Sequence, residues 1–353
     1  MRLHKTLRPA ASVMLAAGLL TRGIAMTDLL NLALVRALTS LALGLACAGA
    51  PAQSGAQGAP QNFHFVALGD LPYGPPSQSY PSYRQLIDRI NLNRPAFSIH
   101  VGDIKSGSTL CSDEEFGRQL EHFQRFAGAV VYTPGDNEWT DCHRSNNGGY
   151  DPLERLASLR RLFFAGSGSL GQSPLALERQ SLLMPAFGRY VENQRWQHQG
   201  VGFATVHIVG SNNALESRSA QAAAEFFDRD DANIAWIKAA FEWAQAHQAR
   251  ALVLALQADV FETRSAYEDF PGWSGFKRSI EETLLPLAAQ WGKPVLVIHG
   301  DSHQFRVDQP FTLRKAPLRN ITRLIVPGAS DVRAVRVEVR ASGQFAFELI
   351  DSQ

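Results

Sequence analysis

The sequence predicts an α/β fold in which a mostly parallel central sheet carries antiparallel additions. From residue 63 onward, short apolar runs alternate with amphipathic stretches of helical period, which is the pattern of β-α-β units. Four of the apolar runs end in the same Gly-Asp dipeptide. The end of the chain contains strand-like runs without intervening helical stretches, which indicates antiparallel pairs there.

Length and charge narrow the class of protein. The chain has 353 residues, of which 45% are hydrophobic, so it can bury a large core in one or two domains. Its formal net charge is +1. A nearly neutral chain gives no reason to expect nucleic acid or an anionic membrane surface as its main partner.

The N-terminal segment differs in composition from the rest of the chain. It is rich in Ala and Leu, and its second apolar run ends in the small-x-small pattern Ala48-Gly49-Ala50. We therefore predict a signal peptide or membrane-targeting segment over 1–50, a linker over 51–61 and one folded domain over 62–353. The predicted location is periplasmic or secreted, and a retained membrane anchor is the alternative interpretation.

Two details of this segment leave alternatives open. Met26 is an alternative start, because residues 26–50 alone have the shape of a signal peptide. Cys47 matches a lipoprotein signal poorly, which leaves lipidation as a minor hypothesis.

Removal of the segment would leave two cysteines, Cys111 and Cys142. An even pair in an exported protein predicts a disulfide, and the alternative is two unrelated buried thiols.

The individual elements follow from the spacing of the apolar residues. Apolar runs predict strands over 63–68, 96–101, 129–133, 190–197, 201–209, 251–256, 294–299, 324–327, 332–339 and 345–350. Apolar residues at helical spacing predict helices over 80–92, 113–126, 152–164, 234–247 and 278–291. Gln199-Gly200, between two of the strands, predicts a hairpin.

Four carboxylates follow four predicted strands directly. They are Asp70 in VALGD, Asp103 in IHVGD, Asp136 in VYTPGD and Asp301 in LVIHGD. The carboxyl ends of parallel strands line one functional edge of an α/β sheet, so we expect these side chains to meet there. Four carboxylates at one edge repel one another unless a cation lies between them, which predicts one or two divalent metal ions.

Two further residues belong to the same edge. His303 follows Asp301 in GDSH, and Gln257 follows the apolar run 252–256 in LQADV. Both are placed where a side chain projects from the end of a strand. We therefore include His303 and Gln257 among the predicted metal ligands.

These motifs, in this order, resemble the calcineurin-like metallophosphoesterases. That family reads strand-Asp-x-His, strand-Gly-Asp, strand-Gly-Asn-His-Asp/Glu, a later strand-His, then Gly-His-x-His, and the resemblance covers roughly 63–305. It implies a layered β-sandwich of mixed sheets flanked by helices. It also implies two metals bridged by an aspartate and a hydroxide, and hydrolysis of phosphate esters by that metal-activated hydroxide.

The chain departs from the family pattern at several ligand positions. Asp70 stands at the first aspartate, but Pro72 stands where the first histidine ligand belongs. Tyr73 and His100 are candidates to replace that missing ligand. Asp103 matches the bridging aspartate.

The later ligand positions exchange nitrogen donors for oxygen. Asp136 stands at the ligand asparagine, Gln257 and Asp301 replace two histidines, and His303 is retained. The resemblance thus implies one cation at Asp70, Asp103 and His303, and another at Asp103, Asp136, Gln257 and Asp301. Oxygen-rich sites favour Mg²⁺ or Mn²⁺, with Ca²⁺ as an alternative and Zn²⁺ less suited.

The resemblance also assigns roles around the leaving group. Asn137 occupies the place of the histidine that would donate a proton, and an amide donates a hydrogen bond but supplies no proton. His143 is a candidate replacement, with an exposed loop histidine as the alternative. Glu138 is expected to orient its neighbours or cap a turn, with metal ligation as the alternative. Trp139 is expected to pack beneath the loop, with stacking on a substrate as the alternative.

Substrate contacts are predicted for three polar residues. Arg144, Asn212 and Asn213 are candidates to contact phosphate oxygens. The leading hypothesis is an exported phosphoesterase that acts on a small phosphorylated substrate, without nucleic acid binding or stable membrane association after signal cleavage. A second hypothesis is a catalytically degenerate relative that binds a cation or ligand. A third is a Ca²⁺-stabilised structural or carbohydrate-binding protein.

Overall fold

The structure, a computed structural model, describes residues 60–215, 219–261 and 273–352. The predicted segment 1–50, with Met26 and Cys47, lies outside the described residues, as does the predicted linker apart from its last two residues. Among the residues that are described, no helix combines the length and the apolarity needed to cross a bilayer.

The apolar runs of the sequence form the strands of two sheets and a small hairpin. In chain order the strands are β1 (Phe63–Leu68), β2 (Ser98–His100), β3 (Ala129–Tyr132), β4 (Leu170–Gly171), β5 (Glu178–Arg179), β6 (Gln194–His198), β7 (Val201–Thr205), β8 (Ala251–Ala255), β9 (Val295–His299), β10 (Arg306–Asp308), β11 (Thr312–Leu313), β12 (Ala316–Pro317), β13 (Ile321–Ile325), β14 (Arg333–Val339) and β15 (Phe345–Asp351).

Each large sheet has a parallel centre and antiparallel margins. The first sheet has the order β15-β14-β1-β2-β3-β4, and the second has the order β10-β13-β9-β8-β7-β6-β5. Strands β1, β2 and β3 are parallel, and so are β7, β8, β9 and β13. The margins of both sheets pair antiparallel. The predicted fold class, a layered sandwich of mixed sheets flanked by helices, is confirmed.

Helices cover the outer faces of the two sheets. They are α1 (Pro76–Asn93), α2 (Asp113–Gln124), α3 (Pro152–Phe163), α4 (Gln180–Leu183), α5 (Ala220–Ala246) and α6 (Leu285–Trp291). A π-helix, Lys277–Leu284, leads directly into α6, and short 3-10 turns occur at Thr140–His143, Ser145–Asn147 and Pro185–Phe187.

The core has three layers because successive strand residues point to opposite faces. In β1, Phe65 and Ala67 lie between the two sheets, where Phe203 of the second sheet also packs. Val66 and Leu68 point the other way and pack with the apolar faces of the helices that cover the first sheet. Because the central strands of each sheet are parallel, their carboxyl ends lie along one edge of that sheet.

Some predicted boundaries are wrong, and the main error has a physical reason. The helix predicted over 234–247 in fact begins at Ala220. Its first half is missing from the prediction because the buried polar residues Arg229, Asp230 and Asn233 interrupt the apolar pattern. The first predicted helix begins earlier as well, at Pro76, and the predicted strand 324–327 is the strand Ile321–Ile325. The predicted hairpin is present as β6 and β7 around Gln199-Gly200.

Candidate metal centre

The four carboxylates that follow the strand ends lie close together at this edge. Asp70, Asp103 and His303 form one group of possible ligand atoms, and Asp103, Asp136 and Asp301 form a second. Within each group the ligand atoms lie within 4.8 Å of one another. Asp103 belongs to both groups, which is the position that the family resemblance assigns to the bridging ligand.

Two of the glycines that precede an acid make room for the acid that follows another strand. A Cβ atom on Gly300 would lie 2.0 Å from Asp70 Oδ2, and one on Gly135 would lie 2.1 Å from Asp103 Oδ1. Asp70, Asp103 and Asp301 also adopt left-handed backbone conformations, with φ of 53°, 55° and 72°. The strained turns and the missing Cβ atoms together allow the carboxylates to approach one another.

Asp103 is held by hydrogen bonds from both sides. Its Oδ2 accepts from the Tyr73 hydroxyl at 2.7 Å and from Asn137 Nδ2 at 2.8 Å, and its Oδ1 accepts from the Asn137 backbone N–H at 3.2 Å. Burial, reinforced by the negative charges of Asp136 and Glu138, raises the pKa of Asp103 well above its ordinary value. This carboxylate therefore sits where a nearby cation would be most stabilising.

Asp70 has one satisfied and one unsatisfied oxygen. Its Oδ1 accepts from the Asp301 backbone N–H at 3.0 Å and lies 3.4 Å from His303 Nε2. Its Oδ2 is buried and has no hydrogen-bond partner among the described residues. Burial raises the pKa of Asp70, although the hydrogen bond from His303 opposes this effect. A buried carboxylate oxygen with no hydrogen-bond donor fits the role of a cation ligand.

Gln257 bridges the remaining two acids through its amide nitrogen. Its Nε2 donates to Asp136 Oδ1 at 3.1 Å and to Asp301 Oδ1 at 3.2 Å, while its Oε1 accepts from the Gly210 backbone N–H at 2.5 Å. Ligation through Oε1 would require the amide to give up the Gly210 contact. The structure thus places Gln257 at the centre, and its ligation of a metal stays a prediction.

Tyr73 lies at the centre, whereas His100, the other candidate for the missing ligand, does not. The Tyr73 ring packs edge-on against His303 at 5.1 Å. The His100 ring instead packs against Phe123 at 5.2 Å on the helix-covered face of β2. The expectation for His100 is wrong, because strand alternation turns its side chain away from the metal edge.

Glu138 has the supporting role expected from the sequence. Its Oε1 accepts hydrogen bonds from the Asp103 N–H at 3.1 Å, the Gly135 N–H at 2.7 Å and the Tyr132 hydroxyl at 2.8 Å. Burial raises the pKa of Glu138 to about 7. This carboxyl group ties together the ends of β2 and β3, and Trp139, which is buried, packs beneath the same loop as expected.

Lys105 and Ser211 also belong to the site, and the sequence analysis missed both. Lys105 is fully buried, and its Nζ donates to the Ser106 carbonyl at 3.1 Å. Burial lowers the pKa of Lys105, an effect opposed by the charges of Glu138 and Asp103. The Ser211 hydroxyl donates to Asp136 Oδ2 at 3.1 Å. A lysine two residues after a Gly-Asp strand end, in GDIK, was the available signal for Lys105.

The predicted proton donor, His143, and one residue predicted to contact phosphate, Arg144, lie in the loop that follows β3. His143 is exposed, and its Nδ1 is hydrogen-bonded to the Thr140 carbonyl at 2.7 Å. Arg144 forms an ion pair of 2.5 Å with Asp141. Neither residue belongs to the two ligand groups, so their roles in catalysis and substrate binding stay predictions.

The two predicted asparagine contacts are buried and engaged in internal hydrogen bonds. Asn212 Nδ2 donates to Ser274 Oγ at 2.9 Å, and Asn213 Nδ2 donates to the Gly275 carbonyl at 2.9 Å. Both lie in the turn Gly210–Asn213, where Ser211 and Asn212 have left-handed backbone conformations. Their observed contacts hold the chain at 274–275, and substrate contact stays a prediction.

The predicted disulfide is confirmed. Cys111 and Cys142 are bridged, with a Cα–Cα distance of 5.8 Å, and both are buried. Their sulfur atoms lie 3.6 and 3.8 Å from the Asn137 carbonyl oxygen. The bridge therefore joins the loop after β2 to the loop after β3 directly behind Asn137.

The residues present fit one or two divalent cations. The donors are carboxylate oxygens with one imidazole, the set that suits Mg²⁺ or Mn²⁺. The unsatisfied Asp70 Oδ2 and the raised pKa of Asp103 both mark positions where a cation would stabilise the ionised carboxylate. The identity of the ion stays a prediction.

Comparisons with known proteins find similarity of fold alone. No family model and no curated protein matches the chain. GAP50, the anchor in the inner membrane complex of Plasmodium, is 10% identical over 83% of this chain and 85% of that chain, with a TM-score of 0.49. The purple acid phosphatase PPD1 from yellow lupin (Lupinus luteus) seeds is 12% identical over 83% of this chain and 52% of that chain, with a TM-score of 0.48. PhoD is 10% identical over 82% of this chain and 68% of that chain, with a TM-score of 0.49.

Proposed function

We propose that this chain is a divergent metallophosphoesterase that hydrolyses phosphate mono- or diesters with the help of divalent cations. The observation that supports this proposal is the pair of ligand groups that share Asp103. Two cation sites joined by one carboxylate suit the displacement of an alcohol from phosphorus. The proposal rests on the residues of the site, since the similar solved structures are too distant to indicate an activity.

Each ligand group would hold one cation. Asp70, Asp103 and His303 would form one site, and Asp103, Asp136 and Asp301 the other, with Gln257 beside them. Bound divalent cations would activate water and neutralise charge on the phosphoryl group. Tyr73 and Asn137 would keep the Asp103 carboxylate in place through their hydrogen bonds to its oxygens.

The departing alcohol needs a proton that Asn137 does not supply. Both N–H groups of the Asn137 amide are engaged, one with the Tyr73 hydroxyl at 2.6 Å and one with Asp103 Oδ2. His143 is the nearest predicted alternative in sequence. Because its Nδ1 is bonded to a carbonyl, its Nε2 is the atom that would exchange the proton.

We also propose that the protein is exported and acts on a small phosphorylated molecule. The confirmed disulfide supports export, because such bridges persist in oxidising compartments. The composition of the first fifty residues supports it too. Arg144, Asn212 and Asn213 remain candidates for phosphate contacts in this proposal.

A second candidate function is binding without turnover. The amide at position 137 favours it, because Asn137 holds the bridging carboxylate but lacks a proton to give. In that case the centre would bind a cation and a phosphorylated ligand without hydrolysing it.

One experiment separates the two functions. The metal-stripped protein is assayed against aryl phosphate mono- and diesters with added Mg²⁺, Mn²⁺, Ca²⁺ or Zn²⁺, alongside Asp103→Asn. The matched control is Asp88→Asn, which alters a carboxylate in α1 that is 60% exposed. We expect turnover that requires Mg²⁺ or Mn²⁺, is retained by Asp88→Asn and is lost in Asp103→Asn. Cation binding by calorimetry without turnover would instead support the binding function.

A further inference from the structure

The turn that begins at Gly210 lies against the second ligand group, that of Asp136 and Asp301. A Cβ atom on Gly210 would lie 2.8 Å from carboxylate oxygens of both acids. The Gly210 N–H donates to Gln257 Oε1 at 2.5 Å, and the Ser211 hydroxyl donates to Asp136 Oδ2 at 3.1 Å. Because Asp136 and Asp301 belong to the second group alone, the position of this turn bears on one of the two predicted cation sites.

The backbone of this turn is unfavourable by itself. Four consecutive residues have left-handed conformations, with φ of 52°, 56°, 59° and 58° at Ser211, Asn212, Asn213 and Ala214. Residues other than glycine and asparagine rarely adopt this conformation, and then singly, because the Cβ atom crowds the following carbonyl oxygen. A run of four therefore persists only where the surrounding structure holds it.

Arg229 in α5 holds the chain on both sides of Ser211. Its side chain is fully buried. It donates to Asn213 Oδ1 at 2.5 Å, to the Asn213 carbonyl at 2.9 Å and to the His207 carbonyl at 3.1 Å. Its other two N–H groups bond the carboxylate oxygens of Glu225 at 2.8 and 3.1 Å. All five N–H donors of the guanidinium are thus used, and three of them fix the backbone that carries the turn.

The same guanidinium also contacts the loop after β3. It packs over the Trp139 ring, 5.3 Å from the ring centroid. The Trp139 backbone N–H in turn donates to the Asp136 carbonyl oxygen at 3.2 Å. One buried side chain, that of Arg229, therefore contacts both segments that meet at the hydrogen bond between Ser211 and Asp136.

We propose that Arg229 is a positioning residue for the second cation site. It fixes the left-handed turn, and the turn then holds Asp136 through the Ser211 hydroxyl and Gln257 through the Gly210 N–H. The inference rests on the paired cation sites of the proposed function, and it does not require turnover. It assigns the affinity of the second site, and not that of the first, to this arginine.

The two sites are first separated by removing one ligand from each. Asp70→Asn alters the first group alone, and Asp301→Asn alters the second alone. Mn²⁺ binding to the metal-stripped proteins is measured by calorimetry in both backgrounds, with and without Arg229→Lys. Lysine keeps the positive charge but has three donors in place of five. The matched control is Arg179→Lys, which alters an arginine that is 6% exposed and donates to the Phe164 carbonyl at 2.9 Å.

We expect Arg229→Lys to weaken Mn²⁺ binding at least tenfold in the Asp70→Asn background, because groups that orient metal ligands change affinity ten- to hundredfold when lost. In the Asp301→Asn background it should leave Mn²⁺ affinity unchanged, and Arg179→Lys should change the affinity in neither background. Equal losses in both backgrounds, or no loss in Asp70→Asn, would overturn the assignment. So would an Asp70→Asn protein that binds no Mn²⁺, because the second site would then not exist.

A double-mutant cycle tests whether Arg229 acts through Ser211. In the Asp70→Asn background, Ser211→Ala should weaken Mn²⁺ binding about tenfold. Ser211→Gly should weaken it equally, although glycine relieves the left-handed backbone, because both variants lack the hydroxyl. Arg229→Lys combined with Ser211→Ala should lose well under the hundredfold that independent effects would give. A full hundredfold loss, or wild-type affinity in Ser211→Gly, would overturn the proposed route.

Folding and turnover are judged separately from this inference. If Arg229→Lys does not fold, Asn213→Gly replaces it, because it removes an acceptor of Arg229 and glycine suits the left-handed conformation at that position. If the wild type binds Mn²⁺ at both sites but hydrolyses no phosphate ester, the phosphoesterase proposal fails. The role of Arg229 is then still decided by the affinities in the two backgrounds.

Discussion

The side chains of this site have two roles: some face the predicted cations, and others hold those ligand side chains in place. Asp70 and Asp103 present buried carboxylates, while Glu138 points its carboxyl group inward at backbone N–H groups and the Tyr132 hydroxyl. Lys105 adds a buried positive charge near these acids. Lys105 therefore offsets part of the negative charge of the buried acids.

Glu138 should make the stability of the metal-free protein depend on pH. Burial raises its pKa from 4.5 to about 7, so the folded state binds this proton more tightly than the unfolded state does. Stability is therefore lost as the pH rises from 4.5 through 7. Relative to Glu138→Gln, the free energy of unfolding of the wild type should fall by up to about 3 kcal/mol between pH 5 and pH 8.

Urea denaturation of the metal-free proteins at a series of pH values measures this difference. The control is Glu114→Gln, which alters a glutamate that is 79% exposed and should give a curve parallel to the wild type. Parallel curves for the wild type and Glu138→Gln would contradict the prediction.

At the scale of the elements, the ends of the strands approach one another closely, and glycines make this approach possible. Each Gly-Asp dipeptide contributes a carboxylate to the site, and in two of the four the glycine also accommodates an acid from another strand. Gly300 accommodates Asp70, and Gly135 accommodates Asp103. The repeated dipeptide is thus explained by close approach between strands as well as by the turn that follows each strand.

Gly300→Ala should disrupt the site more than the fold. The added Cβ would lie 2.0 Å from Asp70 Oδ2, so the Asp70 carboxylate must move out of its position. We expect at least tenfold weaker Mn²⁺ binding by calorimetry. The control is Gly117→Ala in α2, where a Cβ meets no atom within 4 Å.

The control substitution should leave Mn²⁺ affinity unchanged and raise the free energy of unfolding by about 0.5–1 kcal/mol, because alanine is favoured in a helix. Wild-type affinity in Gly300→Ala would show that the Asp70 carboxylate is not part of the cation site.

At the scale of the molecule, the described residues form a sandwich of two sheets, and a disulfide joins two loops at the edge that carries the acids. The Cys111–Cys142 bridge spans 31 residues of sequence and connects the loops after β2 and β3. It lies behind Asn137, which in turn holds Asp103. Global stability and the shape of the site are therefore linked at this point.

Loss of the disulfide should lower the free energy of unfolding by about 3–4 kcal/mol, as expected for a loop of this length. Cys111→Ser, Cys142→Ser and the double variant all lack the same bridge, so their urea midpoints should fall by similar amounts. Additive losses in the double variant would indicate that packing of the sulfur atoms, and not the cross-link, provides the stability.

Local patterns predicted much of the fold and the acids of the site. Alternating apolar runs located most of the helices and strands, and four Gly-Asp strand ends predicted that Asp70, Asp103, Asp136 and Asp301 would meet at one edge. The periodicity failed where polar residues are buried, as in α5 around Arg229. It also could not decide which face His100 occupies.

The fold class, the cysteine pair and the acidic character of the edge are all predictable from the sequence, because periodicity and residue type are local properties of the chain. Which further side chains join the four acids at that edge follows from the tertiary structure. Tyr73 and Ser211 are far apart in sequence from the acids they contact, and Gln257 turns its amide nitrogen toward two carboxylates because Gly210 binds its oxygen. Such contacts depend on how the two sheets bring distant loops together, which no local pattern records.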